Sequence, residues 1–444
     1  MVEEKKRITQ EVVETMKGKR TVLVWILVLT VAVVGISLGR LSATNVSAGE
    51  GYEELKTLSE VLSIVKKHYV EEVKTKDLVY AAIKGMLNSL DPHSSFMPPE
   101  AYKELQVETK GEFGGLGIQI GVKDGMLTVI APIEDTPAFK AGIKPGDKII
   151  KINNVSTKDL SLQDAVSKMR GAPKTSVTIS VLREGWKEPR DFTMMRDIIK
   201  IKSVKSKVLE GNIGYIKVSQ FQDQTSADLS AALKKLSEEK ITSLILDMRN
   251  NPGGLLSSAI DVTGQFLPKG KLVVYTKARS GEKSDFATEG EKSYDLPMIV
   301  LVNQGSASAS EIVAGALKDW NRAVILGTQT FGKGSVQTVI PLSDGAGLRL
   351  TTSKYYTPKG TSIQNTGISP DILVKLEAKN GAKEHPVLRE KDLERHLKNE
   401  QEETGPGEAE TAPLDVDEKD DVQLQRATDI LKTWNVFKSL PKAS

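Results

Sequence analysis

Three serines alternate with alanines in the stretch GSASASEIVAGAL (305–317), where an apolar strand pattern gives way to a helical one. Ser308 stands three residues before Glu311, a spacing that is typical of a helix capping box. A serine at a strand-to-helix turn is also where hydrolases present a nucleophile, although Ser306 and Ser310 replace the glycines of the Gly-x-Ser-x-Gly elbow. The local pattern therefore leaves two roles open for Ser308, a helix cap and a nucleophile.

A serine nucleophile needs a general base, and histidine is a poor candidate for that role. The four histidines are His68, His93, His385 and His396, so none lies between residues 94 and 384. This distribution disfavours a Ser-His-Asp arrangement. His93 lies in the proline-containing segment LDPHSSFMPPE, and we interpret it as structural.

A lysine is the alternative base. Lys333 lies in LGTQTFGKGSVQT, 25 residues after Ser308, and this stretch nearly matches a phosphate-binding loop. Gly334 stands where that loop needs a magnesium-binding Ser or Thr, and a strand pattern follows, which disfavours a P-loop ATPase. In a strand, Lys333, Ser335 and Gln337 would share one face. Burial would keep the lysine neutral, and Gln337 could orient its amine without charging it.

The composition is that of an ordinary globular protein of about two to four domains. The 444 residues carry a net charge of only +3, so no basic field of the kind that binds nucleic acid is present. Cysteine is absent, which excludes disulfides, thiolate catalysis and cysteine metal sites. We expect no cofactor, no metal site and no nucleic-acid partner.

The N-terminal region predicts a membrane segment. TVLVWILVLTVAVVGISL (21–38) has 18 residues without a charge and follows Lys17, Lys19 and Arg20. As a helix it would be about 27 Å long, close to the thickness of a bilayer core. We prefer an uncleaved anchor, although cleavage after Ala48 stays open. Both interpretations place the rest of the chain outside the cytoplasm, in the cell envelope on the periplasmic side.

The remaining chain divides by its patterns into a helical part, a small β domain, an α/β core and a tail. Asp124-Gly125 between alternating apolar residues predicts a hairpin, and residues 160–171 predict a helix. The final helix has an apolar face that either its own core or a second subunit must cover, the latter giving a homodimer. The predicted boundaries are 1–20 for a cytoplasmic N-terminus, 21–43 for the anchor or signal segment, 50–110 for a helical segment, 111–196 for the β domain, 197–376 for an α/β core with largely parallel strands, 377–421 for a charged flexible linker and 422–444 for a C-terminal helix.

The small β domain resembles a PDZ domain through GGLGIQI and AGIKPGDKIIKINN. Successive backbone N–H groups in a glycine-rich loop can bind a terminal carboxylate, while an adjacent strand pairs with an extended peptide. We therefore expect this domain to bind the C-terminus of a protein. The candidate residues are Gly115, Leu116, Gly117 and Ile118 for the carboxylate, and Val166 and Met169 for an apolar last side chain.

Four motifs, SASASEI, TFGKGSVQ, LDMRNNPGG and YYTPKGTSIQNTGISPD, occur together with the PDZ-like domain and the LDPHSSF segment. Together they resemble the carboxyl-terminal processing peptidases, also called tail-specific proteases. The resemblance extends over residues 50–376. The resemblance implies that Ser308 is the nucleophile, Lys333 the general base and Gln337 its assistant. It also points to Gly254, and the helix N-terminus to the N–H of Ala309, as oxyanion donors.

The resemblance implies a serine endopeptidase that captures the C-terminal tails of protein substrates and cleaves nearby through an acyl-enzyme. The rival hypothesis is a PDZ-based binding scaffold with an inactive protease core, which the intact Ser308, Lys333 and Gln337 disfavour. We interpret Asp247 and Arg249 as a structural pair. The sequence does not identify an adaptor protein.

Overall fold

The chain forms two units, residues 1–81 and 82–444. The computed structural model describes residues 51–158, 160–290, 294–375, 385–401, 411–412 and 421–439. In the first unit, α1 (Tyr52–His68) is the predicted amphipathic helix and α2 (Thr75–Asn88) begins. The predicted membrane segment 21–38 lies outside the described residues. Within the part of the chain that the structure describes, no helix is sufficiently long and apolar to cross a membrane.

The LDPHSSF segment opens the second unit and contains a strand that the sequence did not predict. Strand β1 (Ser95–Met97) is followed by helix α3 (Pro99–Lys110), which starts with proline and ends at Gly111 with φ of 71°. Proline fits the first helical turn because its missing N–H would be unbonded there, and glycine adopts the left-handed C-terminal position at low cost. The prediction of a helical segment over 50–110 is therefore right except for β1.

The PDZ-like domain is a sheet of antiparallel strands with two helices. Asp124 and Gly125 have φ of 51° and 71° and join two strands whose residues Lys123 and Met126 face each other, which confirms the predicted hairpin. The predicted helix is also confirmed, and the Ser161 hydroxyl caps it by accepting the N–H of Asp164 at 3.1 Å. The elements are β3 (Ile118–Lys123), β4 (Met126–Pro132), α4 (Pro137–Lys140), β5 (Lys148–Ile152), β6 (Val155–Ser156), α5 (Leu162–Met169), β7 (Ser176–Leu182) and β8 (Arg190–Met195), with β2 (Glu112–Gly115) and β9 (Asp197–Lys200) paired at its ends.

The α/β core is built on a six-stranded sheet, and its strands are parallel except for the first pair. In spatial order the strands are β10 (Val204–Leu209), β11 (Ile213–Val218), β12 (Ser243–Asp247), β15 (Met298–Val302), β16 (Val324–Gly327) and β19 (Ile372–Leu373). Helices α6 (Thr225–Glu238), α7 (Leu256–Gly264) and α8 (Ala309–Asp319) pack on one face, and α9 (Val422–Ser439) packs on the other. Strands β12 and β15 are buried throughout because helices cover both faces of the sheet. The predicted parallel α/β core is confirmed.

A second, antiparallel sheet lies beside the core and was not predicted. Its long strand β18 (Gly347–Tyr356) pairs with β1, β13 (Leu272–Ala278) and β17 (Ser335–Pro341), and β14 (Lys283–Ala287) extends the sheet beyond β13. The pairing register shifts between Val336 and Gln337, where β18 contributes one extra residue, Thr352. Through β18, this sheet brings the LDPHSSF segment next to the strand that follows Lys333.

Residues 385–401, which the sequence assigned to a flexible linker, pack against the core instead. We call this segment the strap. It contains a 3₁₀ turn (Glu390–Asp392). The Gln401 side chain accepts the N–H of Ser362 at 2.7 Å and donates to the carbonyl of Gly360 at 3.1 Å. Short segments at 385–386 and 411–412 pair as β20 (His385–Pro386) and β21 (Thr411–Ala412).

Charged residues fix the start of α9. Arg249 bonds Asp247 and Asp421, in each case with 2.7 Å between nitrogen and oxygen, and Asp421 lies in the predicted linker. Burial of this arginine is offset by both carboxylates, which together raise its pKa. The interpretation of Asp247 and Arg249 as a structural pair is confirmed, because the pair anchors the C-terminal helix to the end of β12.

The docking of α9 on its own sheet predicts how the helix contributes to stability. Leu431 is 3% exposed among apolar residues of the sheet, whereas Phe437 on the same helix is 65% exposed. We expect Leu431→Ala to lower the free energy of unfolding by about 2–4 kcal/mol because it leaves a cavity, and Phe437→Ala to change it by about 0.5 kcal/mol or less. Urea unfolding of both variants measures this, and equal losses would mean that α9 is not held by this face.

Candidate active site

Ser308 occupies the turn between β15 and α8, at the carboxyl edge of the parallel sheet, where sites in α/β proteins usually form. Its backbone has φ of 54° and ψ of −112°, an unusual conformation for a residue with a side chain. Such strain costs about 1–3 kcal/mol and is kept where the surrounding structure imposes it. The turn thus presents the Ser308 side chain outward from a rigid corner, as a nucleophile requires.

The flanking serines hold this turn in place. The Ser306 hydroxyl donates to the carbonyl of Met248 at 2.8 Å, and the Ser310 hydroxyl donates to the carbonyl of Asn251 at 2.9 Å. Both side chains are fully buried. These bonds attach the nucleophile turn to the LDMRNNPGG loop, so the two outer serines have a structural role.

The capping box forms only in part. Glu311 accepts the backbone N–H of Ser308 at 2.7 Å, whereas the Ser308 side chain makes no capping bond. The Tyr355 hydroxyl lies beside the Ser308 side chain and donates to the carbonyl of Lys333. Burial raises the pKa of Tyr355, so its phenol stays protonated. The Glu311 half of the capping box is therefore present, and the Ser308 side chain faces the cavity.

The Glu311 carboxylate joins the nucleophile turn to the Lys333 loop. Besides the N–H of Ser308, it accepts the Thr330 hydroxyl at 2.6 Å and the N–H groups of Gly332 and Lys333 at 2.7 and 3.0 Å. Its side chain is fully buried, and burial raises its pKa to about 7 although all four donors oppose that change. The sequence had indicated only the capping contact.

Lys333 lies in the loop before β17, because that strand begins at Ser335. The prediction that Lys333 is part of the strand is therefore wrong by two residues. Lys333, Ser335 and Gln337 nevertheless line one cavity.

The amine of Lys333 lies in a buried environment, near charged groups but in no ion pair with the described residues. Burial lowers its pKa, and the positive charge of Arg349 lowers it further. The carboxylates of Glu390, Glu311 and Asp91 oppose this effect without outweighing burial. The amine forms no ion pair with any residue in the described part of the chain, and it makes no direct hydrogen bond to Ser308. A lysine in this environment can be neutral and act as a base.

Gln337 is fixed by neighbours on the same sheet. Its side-chain nitrogen donates to the Ser335 hydroxyl at 3.0 Å and to the Thr351 hydroxyl at 3.4 Å. Thr351 donates to Asp91 at 3.0 Å, which connects Gln337 to the LDPHSSF segment. The glutamine side chain is thus held in the cavity by hydrogen bonds to neutral hydroxyl groups.

Two backbone N–H groups meet at the same cavity. The N–H of Phe221 donates to the carbonyl of Gly253, and the carbonyl of Phe221 accepts the N–H of Leu255. The N–H of Gly254, which lies between these two residues, therefore points away from Phe221. The N–H of Ala309 opens α8 and makes no bond within the described residues. Both Gly254 and Ala309 line the cavity beside Ser308, as an oxyanion hole requires.

The close approach of the two loops requires glycine. Gly253 has φ of 102°, and a Cβ there would lie 2.8 Å from the carbonyl oxygen of Ala307 and 2.9 Å from the Ser308 Cβ. At Gly254 a Cβ would clash with the carbonyl of Phe221. The NPGG sequence therefore places backbone where no larger residue fits.

The cavity has a volume of about 290 Å³ and is largely apolar around the polar groups. Besides the residues already named, its lining includes Leu105, Leu256, Ile312, Val336 and Val339. An extended chain with apolar side chains could therefore enter beside Ser308. Within the described residues, no cluster of acidic or histidine side chains is arranged to hold a metal ion.

The predicted peptide-binding residues lie at the predicted place in the PDZ-like domain. Gly115 ends β2 and Ile118 begins β3, while Gly117 has φ of 75° and contacts Thr136 so closely that a Cβ would clash. On α5, Val166 is half-buried, and Met169 is 6% exposed within the domain core. The role of Leu116 and the other five residues in binding a terminus stays a prediction.

Sequence reasoning missed several residues that surround Lys333. Glu390 is fixed by contacts distant in sequence, whereas Asp91 accepts bonds from His93 and Ser94 within its own motif as well as from Thr351. His93, interpreted as structural, bonds Glu390 with 2.7 Å between nitrogen and oxygen, which fits that interpretation.

The raised pKa of Glu311 predicts a pH-dependent stability. The carboxyl has a pKa of about 7 in the folded protein, against an ordinary 4.5. The stability that the protonated carboxyl contributes is therefore fully present below pH 4.5 and is lost as pH rises through 7. We expect the wild type to lose on the order of 3 kcal/mol relative to the permanently neutral Glu311→Gln between pH 4.5 and 8. Urea unfolding of both proteins across this range measures the difference, and parallel pH curves would contradict it.

Comparison with known proteins finds matches to the α/β core, the PDZ-like domain and the N-terminal helical segment. The model of peptidase family S41 matches residues 212–374, a PDZ domain model matches 128–183, and the model described as the activating protease CtpB N-terminal domain matches 36–101. A carboxy-terminal-processing protease of Bartonella bacilliformis is 46% identical over 398 residues, which cover 88% of this chain and 91% of the relative. The carboxy-terminal processing protease CtpA of Bacillus subtilis is 36% identical over 81% of this chain and 78% of its own length.

Among solved structures, a photosystem II D1 C-terminal processing protease is 31% identical and matches with a TM-score of 0.42, over 73% of this chain and 93% of that protein. The resemblance drawn from the motifs is confirmed by the relatives. The chain belongs to the carboxyl-terminal processing proteases of peptidase family S41, a family of serine-type peptidases, and carries a PDZ domain.

Proposed function

We propose that this protein is a serine endopeptidase that uses a Ser308–Lys333 pair to cleave protein substrates near their C-termini. One observation carries the proposal: a serine in a strained turn shares a cavity with a lysine whose pKa burial lowers. The strained backbone of Ser308 and the burial of the Lys333 amine each destabilise the folded state. Acyl transfer needs both an exposed nucleophile and a neutral base.

The reaction follows from the positions of these groups. Neutral Lys333 takes the proton of the Ser308 hydroxyl as its oxygen attacks the peptide carbonyl carbon. The N–H groups of Gly254 and Ala309 stabilise the resulting oxyanion. The carbon–nitrogen bond then breaks, the lysine ammonium gives its proton to the leaving amine, and water hydrolyses the ester with Lys333 again as base. Gln337 orients the amine in both steps.

The PDZ-like domain would select the substrate by its terminal carboxylate. The glycine-rich loop at Gly115–Ile118 offers backbone N–H groups, and β3 offers a strand for an extended peptide. Because a long unfolded tail can reach a second site, the segment next to the captured terminus would enter the apolar cavity beside Ser308. Substrates are thus proteins with accessible, apolar C-terminal tails.

We also propose that the catalytic part lies outside the cytoplasm, anchored to the membrane by residues 21–38. The support is the uncharged segment and the three basic residues before it. The alternative function, a binding scaffold with an inactive core, keeps the PDZ chemistry but gives no reason for a buried lysine.

Substitution of the two proposed catalytic residues tests this function. The full-length protein, purified in detergent, is incubated with an unfolded protein that ends in an apolar tail, and cleavage is followed on gels and by mass spectrometry. We expect Ser308→Ala to lose at least about 10⁴-fold in rate, and Lys333→Arg at least about 10²-fold because guanidinium stays charged. Wild-type activity should rise with pH through the lowered pKa of Lys333.

An exposed serine and an exposed lysine provide matched controls. Ser230→Ala and Lys283→Arg should keep nearly full activity, since both side chains are exposed and lie outside the cavity. Cleavage by Ser308→Ala at the wild-type rate would favour the scaffold, or another nucleophile. Full activity of Lys333→Arg would remove the lysine from the mechanism.

A second prediction tests the proposed oxyanion hole. Gly253→Ala would push the Ala307–Ala309 backbone away from the NPGG loop, and we expect kcat/KM to fall by about 10²-fold or more. Gly270→Ala is the matched control, because its φ of 79° carries a similar backbone strain while its Cβ would meet open space. Equal activities of the two variants would show that backbone strain, not the position of the donors, sets the effect.

A further inference from the structure

A buried carboxylate on the strap lies behind the proposed base. Glu390 is fully buried, and its oxygens accept the His93 ring nitrogen at 2.7 and 2.9 Å and the Gln364 side-chain nitrogen at 3.0 Å. Burying a carboxylate is costly, and the structure maintains it with donors from two distant segments. Neither donor belongs to the strap, so this charge connects three parts of the chain.

The same residue holds the loop that carries Lys333. The Glu390 N–H donates to the carbonyl of Phe331 at 3.1 Å, and the Arg389 side chain donates to the carbonyl of Thr330 at 3.0 Å. On the other side of the lysine, Gln364 accepts the N–H of Gly334 at 3.0 Å. The backbone on both sides of Lys333 is thus fixed to Glu390, directly or through Gln364.

We propose that Glu390 is a positioning residue for the general base, which fixes the Lys333 loop and keeps a negative charge behind the amine. The proposal rests on the proposed Ser308–Lys333 mechanism. The strap is then a part of the catalytic apparatus that lies outside the four motifs by which the protease resembles its family.

The charge balance around the amine explains why a carboxylate is useful there. Lys333 is faced by Glu390 from the strap, Arg349 from β18, Glu311 from α8 and Asp91 before β1, and burial lowers its pKa more than these groups change it. Burial alone can lower a lysine pKa by several units, and an amine that binds protons too weakly cannot take one from serine. Of the surrounding charges, the Glu390 carboxylate most strongly opposes the lowering of the Lys333 pKa by burial, so it keeps the amine basic.

The pH profile of kcat/KM tests the proposal on the full-length protein with the same substrate. Glu390→Gln keeps an oxygen for His93 or Gln364 but removes the charge, so the pKa of Lys333 should fall. We expect the acid limb of the profile to move to lower pH by about 0.5 unit or more, and the plateau to fall by about 10-fold because the base is weaker. Glu400→Gln is the control from the same strap, since that side chain is 71% exposed and bonds Lys354; its profile should match the wild type.

A second variant tests the sign. His93→Gln keeps a hydrogen-bond donor for Glu390 and leaves the Glu390 carboxylate in place. The acid limb should stay in place or move to higher pH, and a move to lower pH would contradict the proposal. Thermal unfolding of each variant shows that it is folded, and this second profile decides the question if Glu390→Gln does not fold.

The two proposals fail in different ways. An acid limb that is present in the wild type and unchanged in Glu390→Gln overturns the role of Glu390 and leaves the Ser308–Lys333 mechanism intact. Full activity in Lys333→Arg overturns the mechanism, and the role of Glu390 with it. A fall of the plateau with no movement of the limb would make Glu390 a structural residue only.

Discussion

The site depends on one buried carboxylate, that of Glu311. It accepts the N–H groups of both Ser308 and Lys333, residues that stand 25 positions apart on separate loops. The two backbones are kept in register because both N–H groups bond the same carboxylate oxygen, Oε2 of Glu311. Without its donors, a carboxylate at this depth would be protonated or the fold would open. The relative position of Ser308 and Lys333 is therefore set by main-chain contacts to one carboxylate.

The charges near the lysine are arranged differently from those that anchor the C-terminal helix. Arg249 is paired with two carboxylates at bonding distance, which raises its pKa and makes it a permanent cation. The amine of Lys333 also has carboxylates in its neighbourhood but forms no ion pair with the described residues. Direct pairing would hold the proton, whereas burial with more distant charges lowers the pKa and keeps some basicity. The same fold thus stabilises one buried basic group by direct ion pairs and lowers the pKa of the other by burial.

The sequence predicted the parts whose causes are local. The alternation of strands and helices gave the parallel core, Asp124-Gly125 gave a hairpin, and the motifs gave the family. What it missed is long-range: β1 forms a strand only because β18 offers an edge, and the strap is ordered only because Glu390 and Gln401 find partners in the core. The sequence placed Lys333 in the strand, whereas β17 begins two residues later, at Ser335. Of the site, the reacting groups were predictable and the groups that set their pKa were not.

Three segments far apart in sequence converge on Lys333, and this has a consequence for how the site is assembled. Asp91 comes from the LDPHSSF segment, Glu311 from the core helix α8 and Glu390 from the strap. The α/β core alone carries Ser308 and the N–H groups of Gly254 and Ala309, but two of the three carboxylates near Lys333 come from outside it. His93 links the two outer segments through Glu390. A core without these segments would leave Lys333 in a different electrostatic environment, so the LDPHSSF segment and the strap belong to the candidate site.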